Sequence, residues 1–334
     1  MERAMTNRGL LDLMIIRIPG LRTAEQSALS RKFDSEEDLA GLSKMDIEAL
    51  VGRPIKEEPW SMDEIRIQAE KDEAAARARG IQMVSLTDGA YPPLVREIFD
   101  PPALLFYRGT LPNPEQPLLG IVGTRKPSSA AALMAFELGR DLGRSGMPVV
   151  SGLALGIDAL AHRGNTEAGA PAVAVLGSGL DYIYPSSNRN LARRILDCGG
   201  VLLSEYPPGE GPRKWRFPAR NRIISALSRG TVIVEAPEKS GALITADFVL
   251  EHGRDLWVSS VGVQSLQGKG TAKLASDGAK VINSARDILA EWGLSEWNFS
   301  APGGNTEFFK NQGEKSKAGT RLASSLARSL KIEI

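Results

Sequence analysis

The chain has 334 residues and is close to neutral, with 41 lysines and arginines against 40 aspartates and glutamates. This length allows about two domains, and the near-zero charge argues against a protein that coats nucleic acid over its whole surface. A single cysteine, Cys198, excludes an internal disulfide framework, and two histidines, His162 and His252, argue against a multi-histidine metal centre. The early apolar stretch at residues 13–18 is too short for a membrane span and lacks the layout of a secretory signal. We therefore expect a cytoplasmic protein with no membrane partner.

Residues 1–80 are predicted to form a small helical domain. Helices are expected at residues 19–33, with Thr23 as a cap candidate, at residues 35–52 and at residues 61–80. The turn at Ile18-Pro19-Gly20 fits a helix-hairpin-helix unit, which places backbone N–H groups against a DNA phosphate. It fits a purely structural helical cap equally well.

From Ile81 onward the pattern predicts strands. Candidates at residues 81–86 and 103–109 precede a linker at 111–117, and seven more apolar runs follow with helical patterns between them. These runs lie at residues 118–123, 148–152, 171–177, 201–206, 231–236, 255–260 and 279–282. Their hydrophobicity is continuous rather than alternating, which indicates strands buried on both faces. We predict an α/β domain at residues 81–292 with a doubly wound, mostly parallel sheet, then a flexible polar tail at 293–334 with a short helix at 320–330.

The segment 213-RKWRFPARNRIISALSRG-230 concentrates positive charge: it holds six basic residues and no carboxylate. These are Arg213, Lys214, Arg216, Arg220, Arg222 and Arg229. With Trp215 and Phe217 interleaved, the segment has what a groove for a polyanion with stackable bases requires, although a solvated basic face is the alternative. We expect Arg220, Asn221 and Arg222 in the first turn of a helix, where the helix dipole disfavours arginine unless an anion is bound, and Arg229 at its negative end.

Other strand ends also carry groups that suit phosphate, and ligands of an open parallel sheet collect at the carboxyl ends of its strands. The first core strand leads into 123-GTRKPS-128, in which Gly123 allows close backbone approach and Ser128 can cap a helix. Three strand ends supply predicted contacts, namely those after the runs at 118–123, 148–152 and 231–236. The contacts are Gly123, Thr124, Arg125 and Lys126, then Ser151 and Gly152, and then Ser240, Gly241 and Thr245.

A catalytic centre is not indicated. Asp158 and His162 are four residues apart and are interpreted as a hydrogen-bonded structural pair, and Glu235 as a salt-bridge partner of adjacent arginines rather than a catalytic carboxylate. The turn at 177–190 lacks the third glycine of the dinucleotide fingerprint. A nucleophile elbow, a Walker A sequence and a carboxylate cluster of metal spacing are not evident, so we expect a binding protein without cofactor, metal or catalysis.

The sequence resembles the DprA/Smf family of bacterial DNA-processing proteins. The matching segments are 122-VGTRKPS-128, 151-SGLALGIDALAH-162, 175-VLGSGLDYIYPSSNRNL-191, 200-GVLLSEYPPG-209, 217-FPARNRIISALS-228 and 240-SGALITA-246. The resemblance implies an extended Rossmann-like domain that binds single-stranded DNA as a homodimer, protects incoming strands and helps load the RecA recombinase in natural transformation. It also implies that Arg125 grips a phosphate, that Lys214 contacts DNA, and that Phe217 or Trp215 stacks a base. Arg220, Asn221, Arg222, Ser240 and Gly241 are implied to share that face.

Two departures from the family pattern are visible. Ser260-Val261, followed by Gly262, and Ala272 stand where relatives carry a Pro-Gly turn and a GTN helix start, and the tail is too short for the C-terminal winged helix of many relatives. The alternative function is a nucleotide-binding or nucleotide-hydrolysing Rossmann-like enzyme or sensor. However, 240-SGALITAD-247 lacks the double glycine and the final glutamate of the PGGxGTxxE signature of phosphoribohydrolases. A third possibility is a protein that binds an acidic protein partner.

Overall fold

The computed structural model describes residues 7–56 and 60–294. Its N-terminal part is helical, as predicted, with α1 (Asn7–Arg17), α2 (Thr23–Lys32), α3 (Glu37–Ala40), α4 (Lys44–Val51) and α5 (Met62–Ala78). Ser43 and Ser61 cap α4 and α5, each accepting a backbone N–H three residues on. The proposed cap at Thr23 is wrong, because Arg22 occupies the N-cap position and Thr23 is the first residue of α2.

The nine predicted strand regions all form strands of one sheet in the described part of the chain. The strands are β1 (Gln82–Ser85), β2 (Leu104–Gly109), β3 (Leu119–Val122), β4 (Val149–Ser151), β5 (Ala172–Leu176), β6 (Val201–Ser204), β7 (Gly230–Ile233), β8 (Asp255–Ser259) and β9 (Lys280–Ile282). The helices of this region are α6 (Pro93–Arg96), α7 (Ser129–Arg144), α8 (Ile157–Glu167), α9 (Arg189–Asp197), α10 (Arg216–Leu227), α11 (Gly241–Glu251), α12 (Ser260–Gln264), α13 (Lys269–Ser276) and α14 (Ala285–Glu291).

The strand order is β1-β2-β6-β5-β4-β3-β7-β8-β9. All pairings from β6 through β9 are parallel, whereas β2 pairs antiparallel with both β1 and β6. Every residue of β3, β4, β5, β6 and β7 is buried, as expected for parallel strands covered by helices on both faces. This confirms the predicted doubly wound, mostly parallel α/β fold.

The N-terminal helices share apolar packing with the sheet. Leu11 and Leu13 of α1 belong to the same buried cluster as Phe106 of β2 and Ile195 of α9. The described residues form a single compact unit. A boundary between independent domains at residue 80 therefore stays a prediction.

Two other sequence expectations have different outcomes. The short helix predicted at residues 320–330 lies outside the described residues. Within the described ranges, no helix has both the length and the hydrophobicity that crossing a bilayer requires.

Candidate nucleic-acid interface

The predicted binding residues surround the point at which the strand order reverses. The chain moves outward from β3 through β4, β5 and β6, and then returns across the sheet to β7 on the other side of β3. In open α/β sheets, the connections that leave such a point in opposite directions open a crevice at the carboxyl ends of the strands. The turns after β3, β4 and β7 and the first half of α10 meet there, so we call this surface the carboxyl edge.

Helix α10 begins at Arg216, two residues earlier than the sequence suggested. Pro218 falls in its first turn, where the missing N–H would have no intrahelical partner. Arg220 and Arg222 consequently lie in the second turn. The inference of a bound anion from arginines in the first turn is therefore wrong for these two residues.

Three side chains form the centre of the carboxyl edge, and Phe217 among them is half-buried. The Arg125 guanidinium carbon lies 5.8 Å from the ring centroid of Phe217, and the Tyr184 ring centroid lies 5.4 Å from the same ring. Arg125 is exposed, and Tyr184 is 48% exposed. A cation next to two accessible rings suits a phosphate and its neighbouring base.

The wider rim of this edge is also cationic. Lys126 and Lys214 are exposed, and the Trp215 side chain next to Lys214 is 58% exposed. These positions agree with their predicted role as contacts for a polyanion, which stays a prediction because position alone does not show binding.

Arg220 lies beneath the edge and is 4% exposed. One nitrogen of its guanidinium donates to the carbonyl of Gly152 at 2.7 Å and also to that of Val175, and Nε donates to the Asn221 side chain. A Cβ on Gly152 would lie only 2.3 Å from this guanidinium, so glycine is required by the arginine rather than by a ligand. The prediction that Arg220 and Gly152 contact DNA directly stays a prediction, and the position of Arg220 beneath the surface favours a supporting role instead.

The charge of Arg220 nevertheless contributes to the field of the edge. Burial lowers its pKa to about 10, while the carboxylate of Asp158 opposes the shift and Arg125 adds to it. The side chain thus stays protonated at neutral pH. It supports the strand-end turn from below with a positive charge.

Arg222, Ser151 and Thr245 are also buried, which favours a structural role over the predicted DNA contact of each. Arg222 forms ion pairs with Glu205 at 2.5 Å and Asp100 at 3.1 Å. Burial acts to lower its pKa, but these two carboxylates raise it above the usual value. The Ser151 hydroxyl donates to the Ile121 carbonyl at 2.6 Å, and Thr245 is 1% exposed within α11.

The turn after β3 is built by packing. A Cβ on Gly123 would lie 2.6 Å from the side chain of Ile157 and 2.9 Å from the Glu235 carbonyl, so this glycine serves close packing and not the approach of a ligand. Thr124 donates its backbone N–H to the Glu235 carbonyl at 2.8 Å, and its hydroxyl accepts the N–H of Lys126. Gly123 and Thr124 therefore help to shape the turn that carries Arg125, and their contact with DNA stays a prediction.

Glu235 binds the start of α7 and, within residues 7–56 and 60–294, forms no ion pair with an arginine. Its carboxylate accepts the Ser128 N–H at 2.7 Å and the Ser128 hydroxyl at 2.8 Å. Ser128 in turn caps α7 as predicted, accepting the N–H of Ala131. The proposed salt bridge of Glu235 with adjacent arginines is replaced by this helix cap.

Asn221 joins the basic segment to the turn after β7. Its side-chain amide donates to the Gly241 carbonyl at 3.2 Å, and Ser240 caps α11 by accepting the N–H of Ala242. Gly241 is exposed, whereas Asn221 and Ser240 are half-buried. These three predicted residues do lie together on the carboxyl edge.

Asp158 and His162 do not form the expected hydrogen bond. Asp158 accepts the Gly152 N–H at 3.1 Å, and both ring nitrogens of His162 lack a hydrogen-bond partner among the described residues. Burial lowers the pKa of His162 to about 3, so the ring is neutral at physiological pH. The two side chains belong to the interior.

Arg229 and Tyr184 also differ from what the sequence predicts. The Arg229 guanidinium lies 4.6 Å from the Trp292 ring centroid, beyond the end of α10, so its predicted role at the helix dipole is wrong. Tyr184 was not among the predicted contacts, although an aromatic residue in a loop after a buried strand was a visible signal.

The fold and this edge define a class: a Rossmann-like protein with exposed cations and aromatic rings at the switch point of its sheet. The family of DNA recombination-mediator protein A matches residues 82–293, so the chain belongs to that family. This family assignment confirms the resemblance to DprA/Smf proteins.

Individual relatives agree with this assignment. DNA processing protein DprA of Bacillus subtilis is 41% identical over 220 residues, covering 65% of this chain and 73% of that protein. The structure of DprA from Streptococcus pneumoniae matches with a TM-score of 0.70 and 32% identity, covering 89% of this chain and all of that one. A structure describing the single-stranded DNA binding mode of DprA from Helicobacter pylori matches with a TM-score of 0.57 and 30% identity, covering 63% of this chain and 95% of that one.

Proposed function

We propose that this protein binds single-stranded DNA along the carboxyl edge without chemically altering it. The observation that carries the proposal is the cluster of Arg125, Phe217 and Tyr184, in which the cation and the Tyr184 ring each lie within 6 Å of the Phe217 ring. A single strand offers both a phosphate for the cation and an unpaired base for a ring, whereas a duplex hides its bases. The Helicobacter relative, whose structure describes single-stranded DNA binding, supports the same assignment.

Each group has a proposed role. Arg125, Lys126 and Lys214 contact phosphates, Phe217, Trp215 and Tyr184 stack on bases, and the Asn221–Gly241 contact shapes the rim. Arg220 adds charge from below the surface. Because phosphates and ring faces are common to every nucleotide, binding is expected to be strongly salt-dependent and weakly sequence-dependent.

The test is fluorescence anisotropy with labelled oligo-dT and a duplex of the same length. We expect the single strand to bind more tightly, and Arg125→Ala to weaken binding about tenfold and reduce the slope of log K against log salt by about 0.7. The matched control is Arg144→Ala, at the opposite end of α7, which should bind like the wild type. Equal affinity for both DNA forms, or equal effects of the two variants, would contradict the proposal.

We also propose that the chain is not an enzyme. Incubation with nucleoside monophosphates is expected to leave them intact, because the edge presents cations and rings, while His162 is buried and neutral. Release of free base would instead favour the nucleotide-hydrolysing alternative.

We propose that the bound strand is passed to RecA recombinase in the cytoplasm during natural transformation. The description of the family as a recombination mediator supports this step. Adding the protein to RecA and to oligonucleotide covered by single-strand-binding protein should raise ATP hydrolysis by RecA. An unchanged rate would remove this part of the proposal and leave DNA binding intact.

Finally, we propose a homodimer. Leu266 is 94% exposed and Leu250 is 60% exposed, and a second subunit would cover such apolar side chains. Light scattering of the purified protein is expected to give twice the chain mass, and a monomer at micromolar concentration would contradict this.

A further inference from the structure

An ion-pair relay connects the N-terminal helices to the carboxyl edge. It begins at Asp72 of α5, which accepts two hydrogen bonds from the Arg17 guanidinium of α1, at 2.5 and 2.9 Å. Gln68 donates to the same carboxylate at 3.0 Å. The third nitrogen of Arg17 donates to one oxygen of Glu210 at 2.9 Å. Glu210 belongs to the loop at residues 205–215, which leads from β6 to α10.

The second oxygen of Glu210 carries the relay onward. It accepts a hydrogen bond of 2.6 Å from Arg216, and Arg216 also donates to the Gly211 carbonyl at 2.8 Å. The Glu210 backbone carbonyl accepts the N–H of Gly179 at 2.7 Å, which fixes the residue at the main chain as well. Burial acts to raise the pKa of Glu210, but Arg216 and Arg17 together lower it, so the carboxylate is ionised at neutral pH.

Arg216 then holds two aromatic rings. Its guanidinium carbon lies 4.4 Å from the Tyr206 ring centroid and 5.1 Å from that of Trp215. The two rings are nearly perpendicular, with centroids 6.2 Å apart. The Arg216 side chain is buried while Trp215 is exposed beside Lys214, so the buried guanidinium supports the inner side of an accessible indole.

We infer that Glu210 is a positioning residue of the nucleic-acid interface: held by Arg17 of the N-terminal helices, it fixes Arg216 beneath Trp215 and so presents the indole to a base. This inference rests on the proposed function. It assigns the N-terminal helices a part in DNA affinity that requires no DNA contact of their own. A stacking ring contributes fully only when it is held in place before the base arrives, because ordering it on binding costs conformational entropy.

The direction in which DNA affinity changes when the Glu210 charge is removed separates this positioning role from simple electrostatics. Glu210 is a negative charge close to a surface for a polyanion, so its removal by itself should tighten DNA binding. If the carboxylate instead positions Arg216 and Trp215, its removal weakens binding. The two effects oppose each other, and the observed direction shows which one dominates.

The experiment measures oligo-dT affinity of the full chain with Glu210→Gln, Trp215→Ala and the double variant. We expect Glu210→Gln to weaken binding about three- to tenfold, a part of the stacking contribution of one base, with an unchanged salt slope. In the Trp215→Ala background the same substitution should have no weakening effect. Glu238→Gln, which removes an exposed carboxylate from the turn before α11, is the matched control and should bind equally or slightly more tightly.

The outcomes are distinguishable. Unchanged or tighter binding by Glu210→Gln, or weakening that persists without Trp215, overturns the inference while DNA binding by the wild type stands. Failure of the wild type to bind oligo-dT overturns the proposed function itself. If Glu210→Gln does not fold by urea titration, Arg17→Lys replaces it, since lysine can pair with Asp72 but lacks the planar fork that reaches Glu210. That variant should weaken binding in the same Trp215-dependent way, and wild-type affinity would overturn the inference.

Discussion

The basic segment at residues 213–230 contains two kinds of cation that its sequence does not distinguish. Arg213, Lys214 and Arg229 are exposed, whereas Arg216, Arg220 and Arg222 are buried and bind carboxylates or carbonyl groups outside the segment. The buried arginines join α10 to the β6 loop and to the turn after β4. Of the exposed set, Arg213 and Lys214 are left for a ligand, because Arg229 lies against the Trp292 ring. Local charge density therefore overstates the charge that a polyanion can reach.

The largest expected effect belongs to the buried set. Arg222→Met leaves Glu205 and Asp100 without their cation, and breaking one side of a buried pair costs about 3–5 kcal/mol of the free energy of unfolding. Urea unfolding measures this loss. The double variant with Glu205→Gln should recover part of it, and the exposed neighbour Arg213→Met should change stability by less than about 0.5 kcal/mol. Equal effects at positions 222 and 213 would contradict the distinction between buried and exposed cations in this segment.

The buried His162 also predicts that the free energy of unfolding depends on pH. The pKa of His162 is lowered to about 3 in the folded protein by burial, whereas an unfolded histidine titrates near 6.5. Between these values the unfolded state binds more protons. The free energy of unfolding should therefore fall on acidification, by about 1.4 kcal/mol per pH unit from this group. His162→Gln removes the group, so its stability curve should be flatter than that of the wild type between about pH 6 and pH 4. Parallel curves would show that His162 is not the buried neutral ring described above.

A substitution of Phe217 tests the proposed stacking at the carboxyl edge. Phe217→Leu keeps an apolar side chain but removes the ring face, and the loss of one stacked base should weaken oligo-dT binding by about 1–3 kcal/mol. Since no charge changes, the salt slope should stay constant, in contrast to Arg125→Ala. Anisotropy titrations at four salt concentrations measure both quantities. A reduced slope for Phe217→Leu would show that the ring acts by holding Arg125 rather than by stacking.

Lys214 should give the smallest effect. Lys214→Gln removes one exposed cation, so affinity should fall by less than about 1 kcal/mol and the salt slope by about 0.7. Lys280→Gln, on the outermost strand β9, is the control and should leave both unchanged. A change in unfolding free energy for Lys214→Gln would place this lysine with the structural arginines.

Much of the architecture could be predicted because both faces of the central strands are covered, which makes their sequences continuously apolar. The sequence indicates a start of α10 two residues too late, because Pro218, a residue type common at helix starts, lies within its first turn. The spacing of Arg216 and Arg220, four residues apart, was a signal that they share one helix face. The partners that each arginine binds could not be predicted, because Arg220 binds backbone carbonyls, which are present at every residue. Gly123 was misinterpreted for a similar reason, since the side chain that fills its space, Ile157, comes from another turn.

The Glu235 carboxylate has a consequence for how a bound strand moves. It accepts the N–H of Ser128, the cap residue of α7, so this amide is not free to hold a phosphate. Long flexible cations beside flat rings hold successive nucleotides equally well. We therefore expect the strand to change register rapidly, one nucleotide at a time, while remaining bound. Such a surface can retain a strand and still let it be drawn along by another protein.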